Sequence, residues 1–361
     1  MKTVIKKYVF RALRFIIRPF WGKNVWLVAD RSFAAGDNGQ AFFEYLQDKP
    51  IKSYFIISKK SPDYIKMKKI GNVLNFDSLL QKILICACDI YICSHLDRMK
   101  DHVEIKNFFL QHGVTFLDLH TYFNPAMHEN IYISAASESE KKALTREPYK
   151  ISKNQVIVTG MARYDKLYHD EKKKIIWAPT WKKNLAHKSD MGFVESRFFQ
   201  TIQEVMSDRN FLEELSKYGY TLHLKLHPLL KDKEECFKDM NLTDDDYVKL
   251  FAEADMFITD FSSVFFDMAY MKKPIIYFHP VMDEAGSLNS NYPEDYFNME
   301  RDGFGEIITL VADLKHTILD YANNNCQMKK IYQNRVEEFF SYTDQNNCKR
   351  IYDVIQRIIK E

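Results

Sequence analysis

Residues 256–274, MFITDFSSVFFDMAYMKKP, contain a strand, a polar turn and a helix in direct succession. The apolar run at 256–258 predicts a buried strand, and the segment after the turn has the composition of a helix. The turn carries a carboxylate and two hydroxyls, from Asp260, Ser262 and Ser263. Polar side chains at a helix start either cap its free N–H groups or help to bind an anion there. The remaining motifs distinguish between these two interpretations.

Similar apolar runs occur along the whole chain, and helical segments separate them. They are NVWLVAD (24–30), SYFIIS (53–58), KILICACDIYICSH (82–95), NFFLQHG (107–113), IYISAAS (131–137), QVIVTG (155–160), KIIWAPTW (174–181), TLHLKLHP (221–228) and PIIYFHP (274–280). Strands that alternate with helices predict parallel sheets with helices on both faces. The predicted fold class is therefore α/β.

The strand–helix pattern is interrupted at one charged segment, KLYHDEKKKI (166–175), and then restarts. A chain of 361 residues is also long for one domain and sufficient for two. We therefore predict two Rossmann-like domains, 24–170 and 171–340, with parallel sheets facing a central cleft. Carboxyl-terminal helices are expected at about 310–323, 327–340 and 345–360, so that 341–361 form a terminal helix.

The composition excludes several classes of protein. The net charge is only +2, so we expect no nucleic acid partner. The six cysteines lack zinc-finger spacing, which indicates reduced thiols in a cytosolic protein. Neither a G-x-G-x-x-G nor a G-x-x-x-x-G-K-[ST] motif is present, which argues against a dinucleotide cofactor or a P-loop. The acidic run DDDY (244–247) follows Thr243 at a predicted helix start, so we interpret it as a cap and predict no metal.

Residues 1–23 hold seven basic residues and no acidic one. Lys7, Arg11, Arg14 and Arg18 fall on one stripe of a predicted helix, and apolar and aromatic residues occupy its other sides. Basic residues interrupt every apolar run, which argues against a secretory signal or a spanning helix. We predict an amphipathic helix in the headgroup layer of an anionic membrane. The alternative is a helix docked on the protein's own surface.

Polar residues recur where the predicted strands end. They are His112 with Gly113, Arg163 with Gly160 and Asp165, Thr180, His227, and Asp260 with Ser262 and Ser263. Ligands of open α/β sheets bind beyond the carboxyl ends of the strands, so this recurrence predicts a shared site. Imidazoles, a guanidinium and hydroxyls suit a diphosphate. Asp267 lies one helical turn beyond Ser263 and is placed for ribose hydroxyls, or else it is a partly exposed helix acid.

Several of these motifs together resemble the CDP-glycerol glycerophosphotransferase family, which includes wall teichoic acid primases and polymerases and related capsule enzymes. They are QHGV (111–114), GMARYD (160–165), IIWAPTWKK (175–183), LKLHP (224–228) and ITDFSSVFFDMAYMKKPIIYF (258–278), in this order. The segment DRSFAAGDNGQAFFEYL (30–46), around Asp37 and Asn38, also resembles the amino-terminal part of that family.

The resemblance implies a GT-B-like fold and a peripheral enzyme on the cytoplasmic face of the bacterial plasma membrane. It implies transfer of a polyol phosphate from a CDP-polyol to a hydroxyl of a lipid-linked or growing cell-surface polymer, with release of CMP and without a cofactor. His112 matches the proposed general base, and His227 matches a histidine near the donor pyrophosphate, so we expect both to be catalytic. Arg163, Ser262, Ser263 and Asp267 match donor-site positions. We add Thr180 and Asp260 to the donor site, and Asp37, Asn38 and Gly113 to the acceptor side of the cleft.

Two departures from the family pattern and two alternatives remain. Some relatives have Trp-His-Gly-Thr where this chain has residues 111–114, so we expect different acceptor contacts. The chain has no extra amino-terminal repeat module, which favours single transfer over polymerisation.

One alternative is a GT-B sugar transferase that uses a nucleotide-sugar, although Asp-x-Ser-Ser-x-x-x-Asp differs from the acidic-pair signature of many such enzymes. The other is a non-catalytic membrane-associated assembly subunit.

Overall fold

The computed structural model describes residues 2–99, 104–180, 185, 188–280 and 296–360. The chain forms two compact units. The first unit comprises Met1–Thr115, Leu119–Lys166 and Phe340–Glu361, and the second comprises Phe116–Asp118 and Leu167–Phe339. The end of the motif IIWAPTWKK, residues 181–183, lies outside the described residues.

The first unit contains a seven-stranded parallel sheet with the order β3-β2-β1-β4-β5-β6-β7. Its strands are β1 (Val25–Ala29), β2 (Lys52–Ile57), β3 (Val73–Asn75), β4 (Ile90–Cys93), β5 (Lys106–Phe109), β6 (Ile131–Ala135) and β7 (Val156–Val158). Every residue of β1 and β4 is buried, which explains their continuous apolar sequences, because a parallel sheet is covered on both faces.

Helix α1 (Lys2–Trp21) precedes the sheet, and shorter helices follow its strands. These are α2 (Asn38–Tyr45), α3 (Tyr64–Ile70), α4 (Leu79–Ala87), α5 (His120–Phe123) and α6 (Glu138–Leu144), with 3₁₀ turns at Leu46–Asp48, Leu96–Arg98 and Ala162–Lys166. Ser78 caps α4 and Ser137 caps α6, each by accepting a hydrogen bond from a backbone N–H of the first turn. These caps explain where both helices begin.

The second unit contains a five-stranded parallel sheet with the order β12-β11-β10-β8-β9. Its strands are β8 (Lys174–Ala178), β9 (Thr221–Leu224), β10 (Ala254–Thr259), β11 (Ile275–Phe278) and β12 (Gly305–Ile308). Its helices are α7 (Asp190–Val194), α8 (Arg197–Met206), α9 (Arg209–Lys217), α10 (Tyr247–Glu253), α11 (Phe265–Tyr270), α12 (Met299–Asp302), α13 (Val311–Asn323) and α14 (Lys330–Phe339), with a 3₁₀ helix at Pro228–Phe237. The opening sequence stretch therefore forms β10, a polar turn and α11.

The terminal helix α15 (Asn347–Lys360) returns to the first unit, where Ile351 and Ile355 pack in a buried cluster with Trp26. Asp165 holds the start of this helix. Its carboxylate accepts hydrogen bonds from the backbone N–H groups of Asn347 (2.9 Å) and Cys348 (2.7 Å). The acid of the GMARYD motif therefore anchors the end of the chain.

Gly160 of the same motif should not tolerate a side chain. Its φ is +77°, and a Cβ there would lie 1.8 Å from Oδ1 of Asn347. Gly160→Ala is therefore expected to lower the free energy of unfolding by about 2–3 kcal/mol, measured by chemical denaturation. The matched control is Gly219→Ala, because Gly219 has a φ of +83° but no atom within 4 Å of the added Cβ. Gly219→Ala should lower the free energy of unfolding by about 1 kcal/mol. Equal losses for the two variants would contradict the role of the Asn347 contact.

Helix α1 is docked on the first unit through its basic side chains. Arg14 Nη1 donates to the carbonyls of Cys86 (3.0 Å) and Cys88 (2.8 Å) at the end of α4, and Arg18 forms an ion pair with Asp89. Arg11 pairs with Glu104 at 2.7 Å. The expectation that this cationic stripe faces headgroups is therefore wrong for three of its arginines, because a helix end and two carboxylates bind them.

The outward face of α1 is apolar instead. Phe15 and Phe20 are 84% and 85% exposed, and Val9, Leu13 and Ile16 are also exposed. Phe10, Ile17 and Trp21 pack against the buried cluster of the first unit. Within the described residues, no helix combines the length and the hydrophobicity that crossing a bilayer requires.

Candidate functional site

The first unit brings Asp37 and His112 into direct contact. Asp37 precedes α2 and His112 follows β5, and the Nδ1 atom of His112 forms a hydrogen bond with Oδ2 of Asp37. A carboxylate can only accept, so the imidazole proton lies on Nδ1 and Nε2 carries a lone pair. The His112 side chain is 57% exposed. This arrangement is that of an oriented and accessible general base.

Asp37 is kept ionised by its neighbours. Burial opposes ionisation, but the hydrogen bond from His112 and the charge of Arg163 hold the pKa of Asp37 below its usual value. Nη1 of Arg163 donates to Oδ1 of Asp37 at 3.0 Å and also to the carbonyl of His112. The backbone N–H of Arg163 donates to Oδ1 of Asn38 at 2.9 Å. Arg163, predicted for the donor site, therefore lies in the first unit and braces Asp37.

The backbone around His112 is held by a buried amide. Gln111 has a φ of +60°, and its side chain is buried. Its Nε2 donates to the backbone carbonyl of Ser134 (2.6 Å) and to Oε1 of Glu140 (3.0 Å). Its backbone carbonyl accepts a hydrogen bond from Nδ2 of Asn38 (2.9 Å). These contacts offset the cost of the left-handed conformation and place His112 and Gly113 at the surface. Asn38, predicted on the acceptor side, is therefore a structural member of the site.

A second buried carboxylate, Asp30, shapes the loop that carries Asp37. It accepts hydrogen bonds from the backbone N–H groups of Asp37 (3.2 Å), Gly39 (2.8 Å) and Gln40 (3.0 Å), and from Oγ of Ser94 (2.6 Å). Burial, together with the nearby charge of Asp37, raises the pKa of Asp30 to about 7. A Cβ on Gly39 would lie 2.4 Å from Oδ1 of Asp30, which explains the glycine after Asn38.

Two further residues at this site were missed by sequence reasoning. Nε of Arg31 donates to Nε2 of His95 at 3.2 Å, and its Nη2 lies 3.5 Å from Nε2 of His112. The rings of His95 and His112 lie 5.1 Å apart. His95 follows β4, so its place at the end of a strand was a usable signal. Arg31 lies within the segment 30–46 that resembles the family, but it was not singled out as a site residue.

Donor atoms of Asp37, His95 and His112 lie within 4.8 Å of one another, a spacing compatible with a metal ion. Two imidazoles and a carboxylate are also a common ligand set for divalent metals. However, the guanidiniums of Arg31 and Arg163 contact the same three side chains. Two fixed positive charges disfavour a cation there, so the cluster fits an anion better.

In the second unit, Thr180 and Asp260 meet at the ends of neighbouring strands β8 and β10. The backbone N–H of Thr180 donates to Oδ1 of Asp260 at 2.9 Å. The Oγ1 atom of Thr180 is buried and has no hydrogen-bond partner among the residues that the structure describes. Next to Asp260, the ring of Phe261 stacks on His279 with centroids 4.3 Å apart. An unsatisfied buried hydroxyl at a strand end is typical of a ligand site.

Ser262 and Ser263 do not cap α11 through their side chains. Their carbonyls accept hydrogen bonds from the N–H groups of Phe265 and Phe266. The N-cap of α11 is Val264, which has no capping side chain. Within the described residues, neither serine hydroxyl forms a hydrogen bond, so the capping interpretation of this turn is wrong. Asp267 is only 2% exposed, which also excludes a partly exposed helix acid.

His227 lies between β9 and the 3₁₀ helix Pro228–Phe237. Its Nδ1 accepts a hydrogen bond from the backbone N–H of Leu229 at 3.2 Å, which leaves the proton of the neutral ring on Nε2. His227 lines a cavity of about 160 Å³ together with Lys225, Lys231 and Thr243. The acidic run DDDY is a cap, as predicted, because Asp246 accepts from the N–H groups of Val248 and Lys249.

The predicted residues therefore divide between the two units. Asp37, Asn38, Gly113, His112 and Arg163 belong to the first unit, and Thr180, His227, Asp260, Ser262, Ser263 and Asp267 belong to the second. The first unit carries an imidazole oriented by a carboxylate, together with cationic groups. The second unit carries hydroxyls and an imidazole, and one of its hydroxyls is buried and has no hydrogen-bond partner among the described residues.

Comparisons with known proteins agree with the resemblance in the sequence. A model of the family described as CDP-Glycerol:Poly(glycerophosphate) glycerophosphotransferase matches residues 10–357. The chain is 30% identical to the minor teichoic acid biosynthesis protein GgaB of Bacillus subtilis (strain 168), over 98% of this chain and 42% of that protein. It is 23% identical to a teichoic acid glycerol-phosphate transferase of Staphylococcus aureus (strain NCTC 8325 / PS 47), over 59% of this chain and 57% of that protein. The chain thus spans about half the length of these relatives.

A solved structure of the wall teichoic acid polymerase TagF matches with a TM-score of 0.73 at 16% identity, covering 99% of this chain and 95% of that chain. A TagF structure from a crystal soaked with CDPG matches with a TM-score of 0.68. A structure of S. aureus MnaA with UDP matches with a TM-score of 0.58 at 13% identity, covering 94% and 97% of the two chains. These likenesses confirm the predicted GT-B-like α/β fold class. The family match over most of the chain shows that this protein belongs to the CDP-glycerol:poly(glycerophosphate) glycerophosphotransferase family.

Proposed function

We propose that this protein transfers glycerol phosphate, or a related polyol phosphate, from a CDP-polyol to a hydroxyl of a cell-surface polymer or its lipid-linked precursor. CMP is the second product. The observation that carries the proposal is the Asp37–His112 pair, which orients an exposed imidazole so that its Nε2, next to Arg31, can accept a proton. Family membership supplies the donor class.

In this mechanism, His112 Nε2 accepts the proton of the acceptor hydroxyl while the hydroxyl oxygen attacks the phosphorus of the polyol phosphate. The bond from that phosphorus to the CMP oxygen breaks, and CMP leaves with the charge. Asp37 stabilises the imidazolium and fixes the ring, and Arg163 holds Asp37. No metal or cofactor is part of the proposal.

The donor contacts are assigned to the second unit. The Nε2–H group of His227 can donate to a phosphate oxygen, and the hydroxyls of Thr180, Ser262 and Ser263 have no protein partner among the described residues. Asp260 orients the backbone of Thr180. Asp267 is assigned to the ribose hydroxyls by the family motif, and a direct contact of Arg163 with the donor stays a prediction.

The experiment that tests the proposal is a donor panel. The protein is incubated with an acceptor and CDP-glycerol, CDP-ribitol or UDP-sugars, and the released nucleotide is identified. We expect CMP from a CDP-polyol. Release of UDP from a UDP-sugar would instead identify the sugar transferase alternative, and no release from any donor would favour the non-catalytic alternative.

Removing the two serine hydroxyls should weaken donor binding. For Ser262→Ala with Ser263→Ala, we expect the KM for the CDP-polyol to rise about 10- to 100-fold, because two hydrogen bonds to a charged phosphate are lost. Steady-state kinetics with varied donor concentration measure the effect. Ser216→Ala on α9 is the control, since that hydroxyl donates only to the carbonyl of Glu213 in its own helix. A donor KM within twofold of the wild-type value would remove the serines from the donor site.

We further propose that the protein binds the cytoplasmic face of the bacterial plasma membrane through the apolar outward face of α1. Phe15 and Phe20 would insert into the acyl boundary, where burial of a phenylalanine side chain stabilises binding by about 2 kcal/mol. A cavity of about 680 Å³ beside Phe15 is also lined by Lys23, whose charge suits anionic headgroups. This orientation places the protein near a lipid-linked acceptor.

Phe15→Ser with Phe20→Ser should reduce sedimentation with anionic vesicles at least tenfold, because most of the exposed aromatic surface of α1 is removed. Leu310→Ser is the control, since Leu310 is 58% exposed in the second unit. Vesicle binding should fall less than about tenfold between about 0.1 and 0.5 M salt, because salt screens charge attraction but not apolar insertion. Unchanged sedimentation of the double variant would overturn the assignment of this face.

A further inference from the structure

The carboxylate of Glu140 contacts the segment that carries His112. Glu140 lies in the first turn of α6, where Ser137 and Glu140 have the S-x-x-E spacing of a capping box. In such a box, the glutamate side chain reaches back to a backbone N–H at the start of its own helix. Glu140 uses one oxygen in this way, because its Oε2 accepts a hydrogen bond from the backbone N–H of Ala136 at 2.7 Å. Its other oxygen therefore remains for a different segment.

The Oε1 atom of Glu140 holds both ends of the segment QHGVT (111–115). It accepts a hydrogen bond from Nε2 of Gln111 at 3.0 Å, and another from the backbone N–H of Thr115 at 2.8 Å. The Oγ1 atom of Thr115 also donates to Oε1 of Gln111 at 2.7 Å, which closes the segment on itself. One carboxylate oxygen thus fixes the residues before and after the exposed His112.

Glu140 is fully buried, and no basic side chain in the described part of the chain forms an ion pair with it. Burial raises the pKa of Glu140 to about 7, although its three hydrogen bonds favour the ionised form. Burying a carboxylate without a cation costs free energy. A capping box works equally well with glutamine, which carries no charge. Capping of α6 alone therefore does not account for a buried carboxylate at this position.

We infer that Glu140 is a positioning residue for the base, because it fixes the segment 111–115 so that the His112 ring meets Asp37. This inference rests on the proposed function and deepens it. Gln111 has a φ of +60°, and its backbone carbonyl is bound by Nδ2 of Asn38, the residue next to Asp37. The segment is thus held by Glu140 and by the residue that follows Asp37. Without Glu140, Gln111 would leave its strained conformation and His112 would move away from Asp37.

The first experiment compares the kinetics of the full chain carrying Glu140→Gln or Ser137→Ala. Glutamine has the shape of glutamate, but its NH₂ group would face N–H donors that now meet a carboxylate oxygen. We expect kcat for CMP release to fall about 10- to 100-fold, since a displacement of about 1 Å has effects of this size. The KM for the CDP-polyol should stay within about twofold, because the donor contacts are assigned to the second unit.

Ser137→Ala is the matched control, because it removes a cap of the same helix. Its Oγ accepts a hydrogen bond from the backbone N–H of Glu140 at 3.0 Å, and its other side-chain partner is Ser139. The kcat of this variant should stay within about twofold of the wild-type value. Equal losses of kcat in the two variants, or a rise of the donor KM that matches the fall in kcat, would overturn the inference.

A milder variant covers the case in which the Glu140→Gln protein does not fold. Thr115→Val keeps the shape of the side chain and the backbone N–H that binds Glu140, but it removes the hydrogen bond to Gln111. We expect kcat to fall about 3- to 10-fold, as for the loss of one hydrogen bond. An unchanged kcat in a folded Thr115→Val protein would overturn the inference.

A spectroscopic measurement keeps the test independent of turnover. The ¹⁵N spectrum of histidine-labelled protein shows which ring nitrogen of His112 carries the proton, and His112→Ala assigns the signals. We expect the Nδ1–H tautomer in the wild-type and Ser137→Ala proteins, as the contact with Asp37 requires, and a mixture of tautomers in Glu140→Gln. A wild-type His112 spectrum in Glu140→Gln would overturn the inference. Failure of the wild-type protein to release CMP, together with the expected spectral change, would overturn the proposed function and leave Glu140 as the residue that positions His112 against Asp37.

Discussion

Replacing His112 with alanine is expected to lower kcat for CMP release by about 10²–10⁴-fold, the range that general-base catalysis contributes. The affinity for the CDP-polyol should stay within about threefold of the wild-type value, because the donor contacts are assigned to other residues. The loss of kcat is expected because the hydrogen bond between Nδ1 of His112 and Asp37 leaves Nε2 as the proton acceptor. Single-turnover kinetics and donor titration measure the two quantities.

Two further variants test this assignment. Asp37→Asn keeps the size of the side chain but removes the charge that stabilises the imidazolium, so kcat should fall about 10²-fold. His316→Ala is the control, since His316 is an exposed histidine on α13 in the second unit. If the His112→Ala protein turned over at the wild-type rate, His112 would not be the base and the proposed mechanism would be wrong.

The largest effect on stability is expected for Asp30→Ala. The substitution leaves three backbone N–H groups and the hydroxyl of Ser94 without their acceptor in a buried site. Each such loss costs about 1 kcal/mol or more, so the free energy of unfolding should fall by about 3 kcal/mol or more. Chemical denaturation followed by circular dichroism measures it. Asp63→Ala is the control, because the Asp63 carboxylate accepts one hydrogen bond from the same loop, donated by the backbone N–H of Ala35. This control should lower the free energy of unfolding by about 1 kcal/mol.

The same carboxylate should make stability depend on pH. Burial raises the pKa of both Asp30 and Glu140 to about 7 in the folded protein, above the values of unfolded carboxyl groups. The folded state therefore binds more protons than the unfolded state between about pH 4 and pH 7, and stability falls as the pH rises through this window. From about pH 5 to pH 8, each of these two carboxyl groups should lower the free energy of unfolding by about 2 kcal/mol. Asp37 contributes to the pH dependence of stability only below this window, because its pKa is lowered in the folded protein. A free energy of unfolding that rises from about pH 5 to pH 8 would contradict the raised pKa values of Asp30 and Glu140.

The sequence predicted the fold well where the pattern is local. The apolar runs and their polar ends identified β8, β10 and β11, and the carboxyl-terminal helices were expected close to α13, α14 and α15. These features depend on the residues of each segment alone. The family motifs added the GT-B-like fold class, which strand periodicity cannot provide.

The composition of the site was harder to predict, because it depends on strand order. The first sheet places β4 beside β1 and β5 beside β4, which brings Arg31, His95 and His112 together from three separate segments. Nothing in the spacing of these residues along the chain indicates that contact. Arg163 was assigned to the donor side from its motif, whereas its partners Asp37 and His112 lie far from it in the sequence.

Helix α1 shows the same limit. Its periodicity separates a basic stripe from apolar sides, but it cannot tell which side docks on the protein. That choice depends on Asp89 and on the carbonyls of Cys86 and Cys88, which lie more than seventy residues away from the arginines that they bind. Charge patterning alone therefore favoured the wrong outward face.

The most direct test of the central claim is mass spectrometry of the acceptor after incubation with CDP-glycerol, combined with measurement of CMP. The account predicts one glycerol phosphate added to the acceptor for each CMP released, and no addition by the His112→Ala protein. Release of CMP with an unmodified acceptor, or modification of the acceptor by the His112→Ala protein at the wild-type rate, would contradict it.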